Sequence, residues 1–391
     1  MTDAKANTAA ARIEISVDGK DWRDISPPLQ SLEIEDHDSL TDQAKLVLDD
    51  NTGLLANASF EGLLIRIGVG YGEKTPLIFE GVITAARIVT QAEGQKVEIT
   101  AQDFSFRMSK HTPEERKWEK GQKLSEVVKE IVTSTEGHKP FGITVEDKDV
   151  LPQEDVSFSK EKALSQRNQN DWEFLKALAD RYMAKVFVEF DGTDKSKLYF
   201  VNIPRLASDD PIGELTCCRG SGDLVSFSFE KISSGALKQV TSSTVDFATG
   251  KAVTNTPPAP APRPPIPPPQ TDGRDVEANQ RKAVEALVEL SAAADKEIEP
   301  EKKRASGGGS PDPEDSKAKI IEDPTRKLGY RGSGVANGNP KLRAKSRVTI
   351  TGVSPWAAGD WYLRKVNHKY SRSKVGQKYL ATYSTTFEAT R

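Results

Sequence analysis

Residues that could do chemistry are few and scattered. The four histidines are His37, His111, His138 and His368. None belongs to an HExxH pattern or stands at ligand spacing from a cysteine, so each reads as an ordinary surface or loop residue. Gly70-Tyr71-Gly72-Glu73-Lys74-Thr75 approaches a phosphate loop, but Glu73 occupies the place of the glycine before the lysine, and no helical pattern follows. A hairpin turn is expected there instead. Asp36, Asp38, Asp42, Asp49 and Asp50 crowd one stretch. A calcium loop opening at Asp36 would put Leu40 at its third ligand position, so the cluster reads as a solvated loop. Glu173 and Asp180 are separated carboxylates of the kind an acid/base pair needs, yet among 58 acidic residues such a pair is unspecific. GxSxG is absent, and no Cys/His pair has supporting context. Arg343, Lys345 and Arg347 lie near Trp356 and Trp361. Cations with aromatics can hold nucleic acid, but charge guarding a sheet edge is the commoner use. Cys217 and Cys218 are adjacent, a strained geometry for a bridge, and read as two reduced thiols beside a strand. The expected inventory is therefore no catalytic residue, no cofactor-binding residue, no metal ligand and no cofactor. A binding or structural role leads.

The elements that would position these residues are mostly strands. Arg12–Val17 alternates polar and apolar residues, with Asp18-Gly19 as a turn. Leu32–Glu35 and Ala44–Leu48 alternate again, and Leu63–Val69, Leu77–Val89 and Lys96–Phe106 follow. Strands this short and frequent point to a small barrel or sandwich. After Lys110 the period changes. Leu124, Val127, Val128, Ile131 and Val132 predict a helix stopping near Gly137. Asn170 and Glu173 have capping-box spacing ahead of a second helix with Trp172, Leu175, Leu178, Ala179 and Tyr182 on one face. Strands are expected at Lys185–Phe190 and Lys197–Val201. Together these predict an α+β domain. Strand texture returns from Leu206, most clearly over Leu224–Phe229, and again from Arg347 to the end.

Composition separates one stretch from the rest. The 391 residues carry 55 basic and 58 acidic groups, a net charge of -3. That near balance argues against a dedicated duplex-DNA binder. No apolar run is long enough to cross a membrane, and the polar Met1–Ala11 lacks a signal core. Assembly in a reducing cytoplasm fits the cysteine usage. Apolar residues make up 36%, which is low, and the prolines show where the deficit lies. Of the 23 prolines, nine fall between Pro257 and Pro269. Residues 251–334 hold 13 prolines, 14 basic and 14 acidic residues, and a single aromatic, Tyr330. Their first part predicts a semi-rigid spacer, their middle a helix over Val276–Glu299, and Ser306–Ser310 a flexible linker.

The two β regions share a layout. Ile65–Val69 parallels Val348–Val353, Phe79–Ile83 parallels Asp360–Arg364, and Gln95–Thr100 parallels Gln377–Thr382. The order and spacing of strands carry the likeness rather than residue identity. A genuine repeat would put two copies of one barrel in a chain, and three such chains in a ring would join a three-fold object to a six-fold one.

Three stretches then resemble one family. Gly338–Leu342, Val348–Val353, Gly359–Leu363, Val366–Tyr370 and a closing strand with Tyr383 and Phe387 look like the end of the phage late control gene D family. Gln166–Ala179 is similar to that family's signature before its central helix, and Ala44–Asp49 resembles a strand of its first barrel. Members resemble the baseplate hub of contractile tails and the N-terminal hub part of the type VI secretion VgrG spike proteins. The resemblance implies a mainly β chain with an α+β part: a first barrel at 1–110, a central α+β domain at 111–205, a second barrel at 206–250 and 335–391, and a Pro-rich and helical insertion at 251–334. It implies a non-enzymatic structural hub, a homotrimer whose pseudo-six-fold ring joins the hexameric tail tube to a trimeric spike. The implied partners are the tail tube or tube-initiator ring, the spike, baseplate wedge or other hub proteins and the tape measure protein, with DNA or an effector passing through the lumen. The implied location is the virion tail baseplate or an injection particle. Two rival readings are a tail-tip peptidoglycan hydrolase, which needs a carboxylate pair in a cleft, and a DNA-binding regulator of late genes.

Overall fold

The computed structural model describes residues 8–231 apart from 73–74, 93, 134–141, 193–194 and 218–221; separate stretches within 240–306; and residues 330–391 apart from 355–356 and 376–377. His138, Gly137, Glu73, Lys74, Cys218 and Trp356 lie outside the described residues. The architecture is mainly β with a smaller α content, as expected.

The N-terminal strands are β1 (Ala9–Ser16), β2 (Arg23–Asp24), β3 (Leu29–His37), β4 (Gln43–Asp49), β5 (Leu64–Tyr71), β6 (Leu77–Gln91) and β7 (Gly94–Gln102). Burial alternates along β3 and β4, so one face enters a core built on Leu32, Ile34, Leu46, Ile65, Ile67 and Ile99. The strand expected to reach Phe106 ends at Gln102. The Asp103 carboxylate accepts the Ser105 N–H at 2.7 Å and its carbonyl accepts the Phe106 N–H at 3.1 Å, which turns the chain into helix α1 (Ser105–Ser109).

The middle of the chain contributes β8 (Glu115–Lys123), α2 (Leu124–Thr133), β9 (Ile143–Thr144), β10 (Val150–Leu151), β11 (Ser157–Arg167), α3 (Asp171–Arg181), β12 (Ala184–Phe190), β13 (Ser196–Asn202) and α4 (Ile203–Ser208). Both expected helices form. Asn170 caps α3 by accepting the Glu173 N–H at 2.8 Å. The β8–β11 ribbon has no alternating apolar pattern, because both strands are largely exposed and bury little beyond Trp118, Phe158 and Leu164. The buried faces of α2 and α3 share a core with that ribbon and with β12 and β13.

The C-terminal part holds β14 (Glu214–Thr216), β15 (Leu224–Lys231), a separate three-stranded sheet of β16 (Val240–Val245), β17 (Ala252–Asn255) and β18 (Lys303–Ser306), then β19 (Tyr330–Asn337), β20 (Arg347–Thr351), β21 (Gly359–Val375) and β22 (Lys378–Thr390). β17 and β18 were not expected from the proline-rich and linker composition around them. Of the expected helix at Val276–Glu299, the described residues Lys282, Glu285–Leu287, Glu289 and Leu290 are helical, and Leu287 and Leu290 are exposed.

One continuous sheet runs β15-β19-β22-β21-β3-β4-β7-β6-β5-β1-β2, with β20 on β21 and β14 on β20. Its two halves are copies. The order β3-β4-β7-β6-β5 is matched by β15-β19-β22-β21-β20, and the pairing registers coincide. Ser31↔Val47 corresponds to Ser226↔Val335, Gln43↔Gln102 to Arg331↔Thr390, Val82↔Gln102 to Tyr362↔Thr390, and Leu64↔Val82 to Arg347↔Tyr362. The irregularities coincide too: Leu29/Ser31 with Leu224/Ser226, and Ile83/Ala85 with Leu363/Lys365. Ile65–Val69 aligns with Val348 onward, as the sequence indicated. The other two segments need correction. Phe79 corresponds to Gly359, one residue off, and Gln95 corresponds to Tyr383, the second offset arising because the β21–β22 hairpin is longer than β6–β7. The β3–β4 connection is residues 38–42, whereas residues 232–329 separate β15 from β19.

Candidate functional site

The two copies meet where β21 pairs antiparallel with β3, from Lys365↔His37 to Ser371↔Ser31. β3 and the turn after it carry the aspartates, and the segment before β20 carries the basic cluster. Pairing β21 with β3 brings the two together under β12. Asp36, Asp38, Asp42 and Asp50 are all buried, which overturns the expected solvated loop. Asp49 is half-buried on β4. Lys345 is buried as well, so the basic cluster does not guard an edge. Its Nζ lies 2.5 Å from Asp36 Oδ1 and 3.2 Å from Asp42 Oδ2, and 5.1 Å from the centre of the Phe187 ring. Arg343 donates to Asp36 at 3.0 Å and to the Ile78 carbonyl of β6 at 2.5 Å, and its guanidinium lies 2.7 Å from Glu189 of β12 as an ion pair without hydrogen-bond alignment. The Ala344 N–H also donates to Asp36 Oδ2 at 3.0 Å. Asp36 Oδ1 accepts no well-aligned hydrogen bond, and the ammonium is its neutralising partner. Arg347 stays near the surface on Asp360 at 2.8 Å.

The electrostatics follow from four carboxylates facing two cations. Burial opposes ionisation of Asp36, but Lys345 and Arg343 outweigh it and hold Asp36 at about 2. Burial first, and the Asp36 charge second, push Asp42 well above the usual carboxylate range. Burial raises Asp103 to about 6, although it accepts N–H bonds from Asp42 and Ser105. Asp36 thus faces Arg343 and Lys345 with Glu189 beside them, and the neighbouring Asp36 charge disfavours a second charge on Asp42. Lys345 sits at φ +65°, a left-handed conformation unusual for lysine. In the first copy the same place belongs to Gly62 at φ +84°. The backbone bonds match: Gly62 N–H to Ile83 O and Lys345 N–H to Leu363 O. The lysine is held in a glycine's conformation because its ammonium closes the junction.

A cleft of about 540 Å³ opens beside this cluster, with Phe187, Glu189, Tyr199, Arg205, Arg343 and Lys345 among its lining residues. Of these, Glu189, Arg343 and Lys345 are engaged with one another and with Asp36, so this corner of the cleft acts as a clamp between β3, β12 and the segment before β20.

The remaining candidates resolve as follows. His111 and His368 are buried rather than at the surface, and His37 is half-buried on β3. His111 Nδ1 lies 2.5 Å from Asp171 Oδ2, and Asp171 Oδ1 accepts from Arg116 and Gln166, each at 2.8 Å. This ties the start of α3 to the β8–β11 ribbon. His368 Nε2 donates to the Leu342 carbonyl at 3.1 Å, which leaves Nδ1 to accept from the Tyr383 hydroxyl at 2.8 Å. Burial first, then the Arg343 charge, lower His368 to about 4. Glu173 and Asp180 are both exposed on α3. Trp361 is fully buried and donates to the Ala357 carbonyl. Cys217 is a free, half-buried thiol packed against the second core. No group of three or more His, Cys, Asp or Glu residues able to hold a metal ion occurs among the described residues. No helix among them is long and apolar enough to cross a membrane.

No family model and no curated protein matches the sequence. Solved structures do match. The 43 kDa tail protein of prophage MuSo2 from Shewanella oneidensis is 10% identical, with 98% of each chain covered and a TM-score of 0.61. A tail protein from Neisseria meningitidis MC58 is 10% identical, covering 98% of this chain and 97% of its own, with a TM-score of 0.59. A component of the E. coli type VI secretion system, itself described as similar to the T4 tail proteins gp27 and gp5, is 10% identical over 96% of this chain and 76% of its own, with a TM-score of 0.54. The fold of this chain, over nearly its whole length, is the fold of these tail and secretion proteins.

Proposed function

We propose that the chain is a non-enzymatic structural hub of a contractile tail or phage-like injection system. Three copies form a pseudo-six-fold ring that joins the hexameric tube to a trimeric spike, with wedge, tape measure and other hub proteins around it and DNA or an effector passing through the lumen. The particle is assembled in the bacterial cytoplasm. In this reading residues 1–110 and 206–250 with 335–391 are the two barrels, 111–205 widen one end, and 251–334 are an excursion from the second barrel. The observation that carries it is the duplication. Two five-stranded units with one strand order and one set of registers follow each other inside a single chain, and six such units are what three chains supply to a six-fold neighbour.

Mass photometry across a concentration series, alone and with tube and spike proteins, tests it. Trimers or ring-shaped complexes are expected. A chain that stays monomeric at high concentration and joins neither protein would refute it.

A further inference from the structure

We infer that the outer half of β6 pairs with β15 of a second copy of this chain, in the register by which β21 pairs with β3 inside one copy. The inference rests on the hub reading and says which edges make the ring.

The duplication supplies the template. β21 is bonded to β22 along its length; on its other side it meets β20 over Arg347–Ile350, then β3 over Ser31–His37. Its counterpart β6 is bonded to β7 along its length and to β5 only as far as Val82. From Ala85 to Gln91 the other flank of β6 meets no strand among the described residues. This is the stretch equivalent to Lys365–Ser371, where β21 takes β3. β15, the counterpart of β3, ends the sheet and, among the described residues, is paired on one side only, with β19. Each open edge is therefore the half of a junction whose other version is already formed. Six strands separate β15 from β6 in the sheet order, so the partner is another molecule.

Carrying the register across sets Arg87 opposite Glu230, Ile88 opposite Phe229, Val89 opposite Ser228 and Thr90 opposite Phe227. In the internal junction the corresponding pairs are Asn367↔Glu35, His368↔Ile34, Lys369↔Glu33 and Tyr370↔Leu32. The chemistry agrees. The internal junction is basic on β21 and acidic on β3, with Lys369 on Glu33 at 3.2 Å and Lys365 on Glu35 at 3.5 Å. The second places an arginine against a glutamate. Arg87 is 76% exposed, with only a long surface ion pair to Glu98 of β7 at 3.7 Å, and Glu230 is exposed, so the guanidinium can turn to Glu230 or bridge the two carboxylates. Ile88 is 51% exposed although its counterpart His368 is buried at the internal junction. Pairing with Phe229 would cover it. Joining β6 of one copy to β15 of the next is a head-to-tail contact, and repeating it builds a ring when the rotation closes.

The buried clamp has no counterpart here. Lys231 stands at the position of Asp36 and Gly62 at that of Lys345. The second junction then rests on strand pairing, one charge pair and the Ile88–Phe229 contact, as suits a contact made during assembly.

Charge reversal tests the register. Arg87→Glu and Glu230→Arg place like charges opposite each other, and each should weaken self-association about tenfold, while the double variant restores it. Mixing Arg87→Cys with Glu230→Cys under mild oxidation should give a dimer cross-link that neither variant gives alone. Thermal melting checks that these exposed substitutions leave the fold intact. If wild type associates but the single reversals associate equally well and the mixed cysteines do not cross-link, this register is overturned and the hub reading stands. If wild type never self-associates, both fail.

Discussion

Replacing Lys345 is the sharpest probe of the internal junction. Lys345→Met keeps a buried stem of similar length and removes the ammonium that lies 2.5 Å from Asp36, 3.2 Å from Asp42 and 5.1 Å from the centre of the Phe187 ring. Removing one partner of a buried ion pair costs about 3–5 kcal/mol, because the other charge is left uncompensated. Lys345→Gly loses the same charge but relieves a left-handed residue, worth about 1–2 kcal/mol. It also empties the space of a buried four-carbon stem, at about 0.8 kcal/mol per CH2, so the glycine variant should be the less stable of the two by roughly 1–2 kcal/mol. Asp36→Asn combined with Lys345→Met removes both charges and should recover about 2–3 kcal/mol relative to adding the single effects. The pH dependence supplies an independent arm. In wild type Asp36 is held at about 2, so its contribution is present at neutral pH and is lost as pH falls through that value. In Lys345→Met burial acts with less opposition, Asp36 takes up a proton more readily, and the deficit against wild type should shrink on acidification. Urea unfolding followed by tryptophan fluorescence from pH 7 to 4 measures all of this. A Lys345→Met variant within 1 kcal/mol of wild type at pH 7, or a deficit that grows as the pH falls, would refute the clamp.

Three further outcomes are expected. His368, lowered to about 4, makes stability fall as pH drops from about 6.5 to 4, by up to about 3 kcal/mol. Asp103, raised to about 6, works in the opposite direction between about pH 4 and 6, so the two largely offset. His368→Gln should then leave a protein that gains stability on acidification from pH 6 to 4, and urea midpoints that fall instead would contradict this. Gly334→Ala forces a β-carbon into the Phe387 ring and should cost about 1–3 kcal/mol, while Gly53→Ala, where nothing lies nearby, meets only its positive φ; thermal midpoints compare them. Asp171→Ala leaves the half-buried Arg116 and the buried His111 without their carboxylate and should destabilise by about 2–4 kcal/mol, with hydrogen exchange rising first in α3 and β8; protection unchanged in both would argue against the tie.

Strands whose one face enters a core were legible, because burial on one face writes a period of two into the residues; β3 and β4 are examples. The β8–β11 ribbon was not, since both its faces largely meet solvent and select no period. The charge cluster was illegible for a different reason. Asp36 and Asp42 look like a polar turn unless one knows that Arg343 and Lys345, some three hundred residues later, fold onto them. The pattern at His368 is equally silent, as its partners come from elsewhere, Leu342 from the segment before β20 and Tyr383 from β22. A lysine at the position where the first copy has Gly62 becomes a signal only once the registers are aligned.

The same alignment explains why the repeat looked weak residue by residue. The core positions most nearly shared are the small and aliphatic ones: Ile65 with Val348, Ile67 with Ile350, Ile83 with Leu363, Ala101 with Ala389, all buried. Elsewhere the copies exchange volume between neighbours. The first copy places Leu46, Ile99 and Gly81 where the second places Gly334, Phe387 and Trp361. A ring at 387 needs a glycine at 334, and the larger ring at 361 lies against Phe227 with Gly332 beneath it. Close packing couples such positions, so each copy keeps its total fill while losing pairwise identity with the other. Backbone register is under no such freedom, because a shift of one residue would turn every core side chain outward. Strand order and bulge position therefore outlast side chains as the record of duplication. For the same reason they are the firmest guide to how one molecule would meet the next: the internal junction is a buried charge clamp, the proposed one would set Ile88 against Phe229, and the proposal carries over only the ladder.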